Sequence, residues 1–265
     1  MQKIVFNGHY LMYMDTAMAE YWRDLALPYE SAMHQLGGDI YVKKATVEYF
    51  ASARYDDLLD VGIRCARVGS SSMQFLCGVF SGDKLLVGGE LLYVFADPSV
   101  QKAKPVPDTL RALLAAFEAG ESPIRLEVGG WQELGPQAAA VRTEVFVQEQ
   151  AIPVEMEWDA SDADAVHALV TNRIGQAIGT GRLLQHATGV GRIGRMAVVR
   201  VLRGSAIGNG ILDALTAAAR QRGDHEVLLH AQMSATGFYQ KAGFVPRGPA
   251  FEEAGIQHVE MFKML

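Results

Sequence analysis

Between Met196 and Gly210 the chain reads Met-Ala-Val-Val-Arg-Val-Leu-Arg-Gly-Ser-Ala-Ile-Gly-Asn-Gly, an apolar run that ends in a turn of small residues and leads into an amphipathic helix. Such a turn aims consecutive backbone N–H groups into one concavity, and a helix start adds about half a positive charge. The chemistry this suits is phosphate binding. Gly204, Ser205, Ala206, Gly208 and Gly210 keep bulk away so that oxygens can reach the amides, those of Ile207 and Asn209 among them, and Arg203 supplies a mobile counter-charge. A turn that simply joins a strand to a helix can have the same composition. The G-x-G-x-x-G order of a dinucleotide-binding turn is absent.

Strand and helix patterns alternate around this loop. Residues 138–150 are helical in pattern, 165–171, 176–184 and 193–199 read as strands, and a helix over 209–221 carries Ile211, Leu212, Leu215 and Ala219 on one face. A short buried strand at 227–231 precedes another helix, and the mixture predicts a sheet with helices on both faces. Upstream the pattern differs. One helix over 12–27 precedes several long strands, in one of which Leu59, Val61, Ile63 and Cys65 alternate with Asp60, Gly62 and Arg64. Runs at 73–80 and 85–95, separated by Gly69-Ser70 and Gly82-Asp83, complete antiparallel hairpins, an α+β arrangement. Pro98, Pro105 and Pro107 mark irregular chain, Asp108 is placed to cap a helix bearing Leu110, Leu113, Leu114 and Phe117, and Gly120 stops it. Two domains are expected, 1–119 and 124–265, joined at 120–123.

At 265 residues, 49% hydrophobic and 20% charged, the composition is that of folded domains. The formal charge of −6 argues against a nucleic-acid partner, which demands a basic face. No stretch approaches the ~20 apolar residues that span a bilayer, and Asn7, His9 and Asp15 interrupt any secretory core at the N-terminus. Cys65 and Cys77 sit at alternating apolar positions and read as buried free thiols. A cytoplasmic, soluble protein without membrane partner or metal is expected.

The Arg-Gly-x-Ala-Ile-Gly-x-Gly order at 203–210 resembles the acyl-CoA loop of the GNAT N-acetyltransferase superfamily, with Ala206 in the place of the first glycine. The run 229–244, which ends Phe238-Tyr239-Gln-Lys241-Ala-Gly243-Phe244, is similar to that superfamily's last block. The segment Val145-Phe-Val-Gln-Glu-Gln150 with Glu157-Trp-Asp159, Asp162 and His167, and the tail Gly255-Ile-Gln-His258-Val-Glu-Met261, resemble its ElaA-like subgroup.

The resemblance implies an α/β acyltransferase with acetyl-CoA or another acyl-CoA as co-substrate and a small-molecule amine as acceptor. The amine attacks a thioester held beside a splayed strand at Met196, Ala197 and Val198, and backbone N–H near Val198 polarises its carbonyl. Tyr239 is then the acid for the leaving thiolate, or else a ring packed on the cofactor. Candidates for the base are Glu149, Glu155, Glu157, Asp159 and His167, each equally readable as a surface charge or structural partner; a cluster of acids there favours a cationic acceptor. His230, within a buried strand, reads as structural.

Residues 1–119 resemble hotdog-fold acyl-CoA thioesterases through Asn7-Gly8-His9 opening the long helix, Val47-Glu-Tyr49-Phe, Ala53-Arg54-Tyr55-Asp-Asp57-Leu58 and Gly88-Gly-Glu-Leu-Leu-Tyr-Val-Phe95. Such folds pair in dimers, which implies a homodimer or larger homo-oligomer. The family's Asp before the Gly-His pair is replaced here by Val5 and Phe6, leaving Asn7, His9, Asp15 and Glu20 as polar candidates. The readings are an acyltransferase fused to a thioesterase-like domain, or an acyl-CoA sensor without turnover assembled by the hotdog half.

Overall fold

Tyr10, Met14, Met18 and Tyr21 recur at helical spacing and form the buried stripe of α1, Asn7–Asp24. The computed structural model that shows this describes residues 3–265. The chain divides into two compact units, Met1–Pro123 and Ile124–Leu265.

In the first unit α1 is followed by α2, Tyr29–Leu36, and by β1, Asp39–Tyr49. Strands β2, Asp60–Val68, β3, Ser72–Ser81, and β4, Lys84–Asp97, complete an antiparallel sheet in the order β1-β4-β3-β2. The two-residue β5, Lys102–Ala103, pairs with β4, and α3, Asp108–Glu118, closes the unit. Met73, Phe75, Cys77 and Val79 of β3 are buried, and Tyr21 meets Phe75 edge-on at 5.4 Å.

Three expectations shift here. Helix α1 starts at Asn7, where the hotdog resemblance opens it, rather than at residue 12, where its apolar pattern begins, and no side chain caps it. Asp108 is the first residue of α3, and Pro107 takes the cap position. The alternation at 59–65 is present, but Leu59, Val61 and Ile63 are only half-buried, because β2 ends the sheet and is flanked on one side only.

The second unit begins with β6, Ile124–Gly129, and α4, Trp131–Arg142, which passes into a π-helical stretch, Thr143–Glu149. After a short α5, Val154–Glu157, come β7, Val166–Asn172, β8, Ala177–Ala187, and β9, Val190–Val198. Helix α6, Ile207–Arg222, β10, Glu226–Gln232, and α7, Thr236–Lys241, lead to the hairpin of β11, Val245–Glu253, and β12, Ile256–Met264. The sheet order is β11-β12-β10-β9-β8-β7-β6. Leu169 pairs with Thr180 and Ala168 with Gly181, so alternate residues face opposite sides. Helix α4 packs Leu134 and Ala138 on Leu169, whereas a Cβ on Gly181 would meet Ile211 and Leu215 of α6, which places the two helices on opposite faces.

Candidate active site

Strands β9 and β10 are parallel neighbours for only part of their length: pairing runs from Glu226↔Val190 to Leu229↔Ile193 and then stops, although β9 continues to Val198 and β10 to Gln232. The two strands diverge from there. On its other side β9 pairs Gly194 with Arg182 and Ala197 with Thr180, so Arg195 and Met196 oppose Gly181 alone. This is a bulge, and its extra residue has no ladder partner. Arg195 takes a φ of 51°, the left-handed region that non-glycine residues rarely occupy. A strained, bulged strand edge therefore faces an opening in the sheet.

The same strand delivers the small-residue turn. After Val198 the backbone makes one short 3-10 turn, Gly204 turns at a φ of 85°, and α6 starts at Ile207 with no side chain capping it. The first N–H groups of a 16-residue helix are thus left for something other than a cap. Ser205 does not compete, since its Oγ donates to the Leu202 carbonyl at 2.6 Å. A Cβ on Gly208 would come no nearer than 3.4 Å, to Phe238, and one on Gly210 would likewise stand 3.4 Å from Leu126. Internal packing therefore does not demand glycine at these two places. Arg203 gives Nη1 and Nη2 to the two Glu149 carboxylate oxygens at 2.6 Å and Nε to the Val198 carbonyl at 3.0 Å.

A cavity of about 210 Å³ occupies the divergence, with Met196, Tyr239, His230, Gln150 and Glu253 in its wall. Tyr239 is half-buried, and desolvation pushes its hydroxyl up to about 12. His230 is not enclosed in a buried strand as expected, because the divergence of β9 uncovers it.

The acids at 149–162 do not form an acidic face. Arg142, buried between Trp131 and Trp158 at 5.6 and 4.6 Å, donates Nε to Glu157 at 2.5 Å and Nη1 to Asp162 at 2.8 Å. Arg182 donates to Asp162 at 2.7 Å and to Asp159 at 2.6 Å, and Arg195 stands 3.1 Å from Glu157. Glu157, Asp159 and Asp162 are each matched by an arginine, which weakens the electrostatic argument for a cationic acceptor at this stretch; Glu155 is exposed. Burial works to raise Glu157 and prevails over its arginines, whereas the Arg182 bonds hold Asp159 down at about 2. Buried His167 donates Nε2–H to the Asp162 carbonyl at 2.9 Å, and desolvation lowers its pKa, so it is a neutral structural donor. The network escapes sequence reading because its arginines are separated from their acids in the chain; a lone Arg142 inside an apolar helix was the available signal.

Residues 132–265 match the family model described as Acetyltransferase (GNAT) domain. The chain belongs to the GNAT acetyltransferase family. The GNAT region is 36% identical over 124 residues to YjcF, an uncharacterized N-acetyltransferase of Bacillus subtilis strain 168, an alignment covering 46% of this chain and 87% of YjcF. A suspected N-acetyltransferase of Lactobacillus plantarum, known as a crystal structure, superposes with a TM-score of 0.51 at 29% identity, covering 54% of this chain and 99% of that one. Escherichia coli ElaA superposes with a TM-score of 0.48 at 28% identity over 53% of this chain and 99% of its own. Residues 2–87 match the model described as Thioesterase superfamily, so a hotdog-type domain precedes the GNAT domain.

In the hotdog half Asn7, His9 and Asp15 do not converge, whereas Glu20 borders a cavity with Tyr13, Asp57 and Leu59, residues that also line the cavity beside His9. Helical rotation of about 100° per residue puts Asn7, His9 and Asp15 on different faces of α1. Asn7 borders a cavity with Tyr10 and Tyr49, His9 borders another with Tyr13 and Arg54, and Asp15 is exposed. Glu118, which sequence reading passed over, is bonded to the Tyr21 hydroxyl at 2.6 Å and the Cys65 amide at 2.7 Å. Among the described residues no helix is long and apolar enough to cross a membrane, and no group of His, Cys, Asp and Glu is gathered to hold a metal.

Proposed function

We propose that the GNAT half transfers an acyl group from acyl-CoA, acetyl-CoA first among candidates, to the amine of a small-molecule acceptor. The observation that carries this reading is that one strand supplies both parts of a donor site: the bulge at Arg195–Met196 faces the divergence, and the uncapped start of α6 follows Val198. The amides of 204–209 and Arg203 take the pyrophosphate, while the Gly210 amide closes the first turn of α6 on the Ala206 carbonyl; Met196, Ala197 and Val198 line the arm, and backbone N–H in that stretch polarises the thioester carbonyl. The amine attacks directly, without an acyl-enzyme.

Tyr239 borders the same cavity and serves the leaving sulfur. With its hydroxyl near 12, outright proton transfer to a thiolate of about 8.5 is uphill by about 5 kcal/mol, so the phenol acts as a hydrogen-bond donor to the forming charge. Glu157 and Asp159, already tied to arginines, hold the π-helical wall in place rather than exchange protons.

For the hotdog half we propose acyl-CoA binding and homodimer formation without hydrolysis. The scatter of Asn7, His9 and Asp15 supports the lack of hydrolysis, and β1, which ends its sheet with Tyr41 and Val42 exposed, supports assembly. Calorimetry with acetyl-CoA, followed by thiol release with a panel of small amines, tests the whole reading. Binding with amine-dependent release is expected; tight binding with no release on any amine would leave a sensor instead. Thiol release from acyl-CoA without amine, surviving Tyr239→Phe, would restore the thioesterase.

A further inference from the structure

His230 follows Leu229, the last residue of β10 that pairs with β9, and so stands at the crotch of the divergence. It is half-buried in the wall of the cavity that also holds Met196 and Tyr239. Gly194, the first unpaired residue on β9, lies four residues before Val198, about 13 Å along an extended strand. A thioester arm laid from the phosphate loop along β9 thus points its acyl end toward this histidine.

The imidazole is surrounded by charge. Its Nδ1 lies 3.2 Å from Glu253 Oε2 on β11 and 3.0 Å from Arg192 Nη2 on β9, and its Nε2 lies 3.9 Å from Glu260 Oε2 on β12. Phe251 meets the ring edge-on at 4.8 Å and stacks on His258 at 6.1 Å, whose Nδ1–H donates to the Ile256 carbonyl at 2.8 Å. Glu260 is itself bonded to Arg247 at 2.6 Å. A single ring nitrogen cannot serve both Nδ1 neighbours: it accepts from Arg192 only when bare and donates to Glu253 only when it carries a proton. Both protonation states of the ring therefore have partners. The protonated ring faces a carboxylate at each nitrogen, and the neutral ring that donates Nδ1–H to Glu253 leaves the Nε2 lone pair free to take a proton.

Resting on the acyltransfer reading above, we propose that His230, steadied by Glu253, accepts the proton of the acceptor's ammonium group. The departing proton leaves its bonding pair on nitrogen, which forms the C–N bond at the thioester carbonyl. Collapse breaks the C–S bond, the pair leaves with sulfur, and the remaining excess N–H proton passes to that sulfur to give the thiol. The proton on His230 returns to water beside Glu253, which is exposed. His230 is then a catalytic residue, whereas Glu253 positions it.

The experiment is the pH profile of acetyl transfer by the full chain on its best amine, with acetyl-CoA affinity measured in parallel. For His230→Gln we expect acetyl-CoA affinity within twofold of wild type and kcat/KM lower by about a hundredfold at neutral pH. The acid limb of the profile is lost, and added imidazole restores rate to His230→Ala. Glu253→Gln, at an exposed position, moves the acid limb to lower pH without abolishing it. A wild-type profile in His230→Gln, or an acid limb indifferent to Glu253→Gln, overturns the proposal while leaving acyl transfer standing. A wild type that moves no acetyl group to any amine overturns both.

Discussion

Arg203 and Glu149 face each other as a two-pronged ion pair, with both guanidinium Nη atoms 2.6 Å from carboxylate oxygens. The cation expected at the pyrophosphate is thus held by an anion from the π-helical stretch, and the same Arg203 bonds pull Glu149 below the usual carboxylate range. Pyrophosphate has to compete with Glu149 for it. A partly exposed pair of this kind is worth up to about 1 kcal/mol. Glu149→Gln is accordingly expected to tighten acetyl-CoA binding about two- to fivefold by calorimetry, and Arg203→Ala to weaken it by about tenfold.

Gly181 is the residue over which α6 crosses the bulge. A Cβ there would stand 2.9 Å from Ile211, 3.0 Å from Leu215 and 3.2 Å from Met196. Overpacking costs about 1–3 kcal/mol and moves neighbours. Gly181→Ala should lower the urea midpoint and raise KM for acetyl-CoA several-fold, since α6 carries the phosphate loop. Unchanged KM would detach the loop from the helix position.

The arginine network sets an acid limit. Arg182 bonds hold Asp159 at about 2; burial works to raise Asp162, and the bonds from Arg142 and Arg182 outweigh it. Depressed carboxylates contribute stability that is complete above their unfolded value of about 4 and is lost as pH falls toward 2. Raised Glu157 works in the opposite direction, favouring the fold as it protonates. After screening at its partly exposed position, Asp159 contributes about 1 kcal/mol. Asp159→Asn should therefore flatten the drop in urea midpoint between about pH 4 and 2.

Tyr239→Phe removes a donor, not a binding surface. We expect kcat to fall by about a hundredfold with acetyl-CoA affinity unchanged. Because the hydroxyl stands near 12, the wild-type rate should show no alkaline loss from this group below about pH 11. An alkaline limb that disappears in Tyr239→Phe would contradict the assignment.

The backbone elements of the proposed donor site were largely legible in the residue pattern. The strand, small-residue turn and helix at 196–222 are contiguous, and contiguous backbone conformation is what residue type controls most directly, as at Gly204 with its positive φ. The apolar run that forms β3 and the helical stripe of α6 were legible for the same reason. Helix α1 begins earlier than its apolar pattern, at the Asn7-Gly8-His9 that the hotdog resemblance marks, and α2 was not anticipated.

The acceptor side was hardly legible. Arg142 meets Glu157 and Asp162, Arg203 meets Glu149, and His230 meets Glu253, partners brought together only by packing between elements distant in the chain. Residue order alone locates the small-residue turn and helix start proposed to hold phosphate, because turn chemistry and helix start are local properties of those residues. Which carboxylates pair with arginines and which histidine the diverging strands expose follow from packing, because charge pairing and burial depend on three-dimensional neighbours that residue order does not specify.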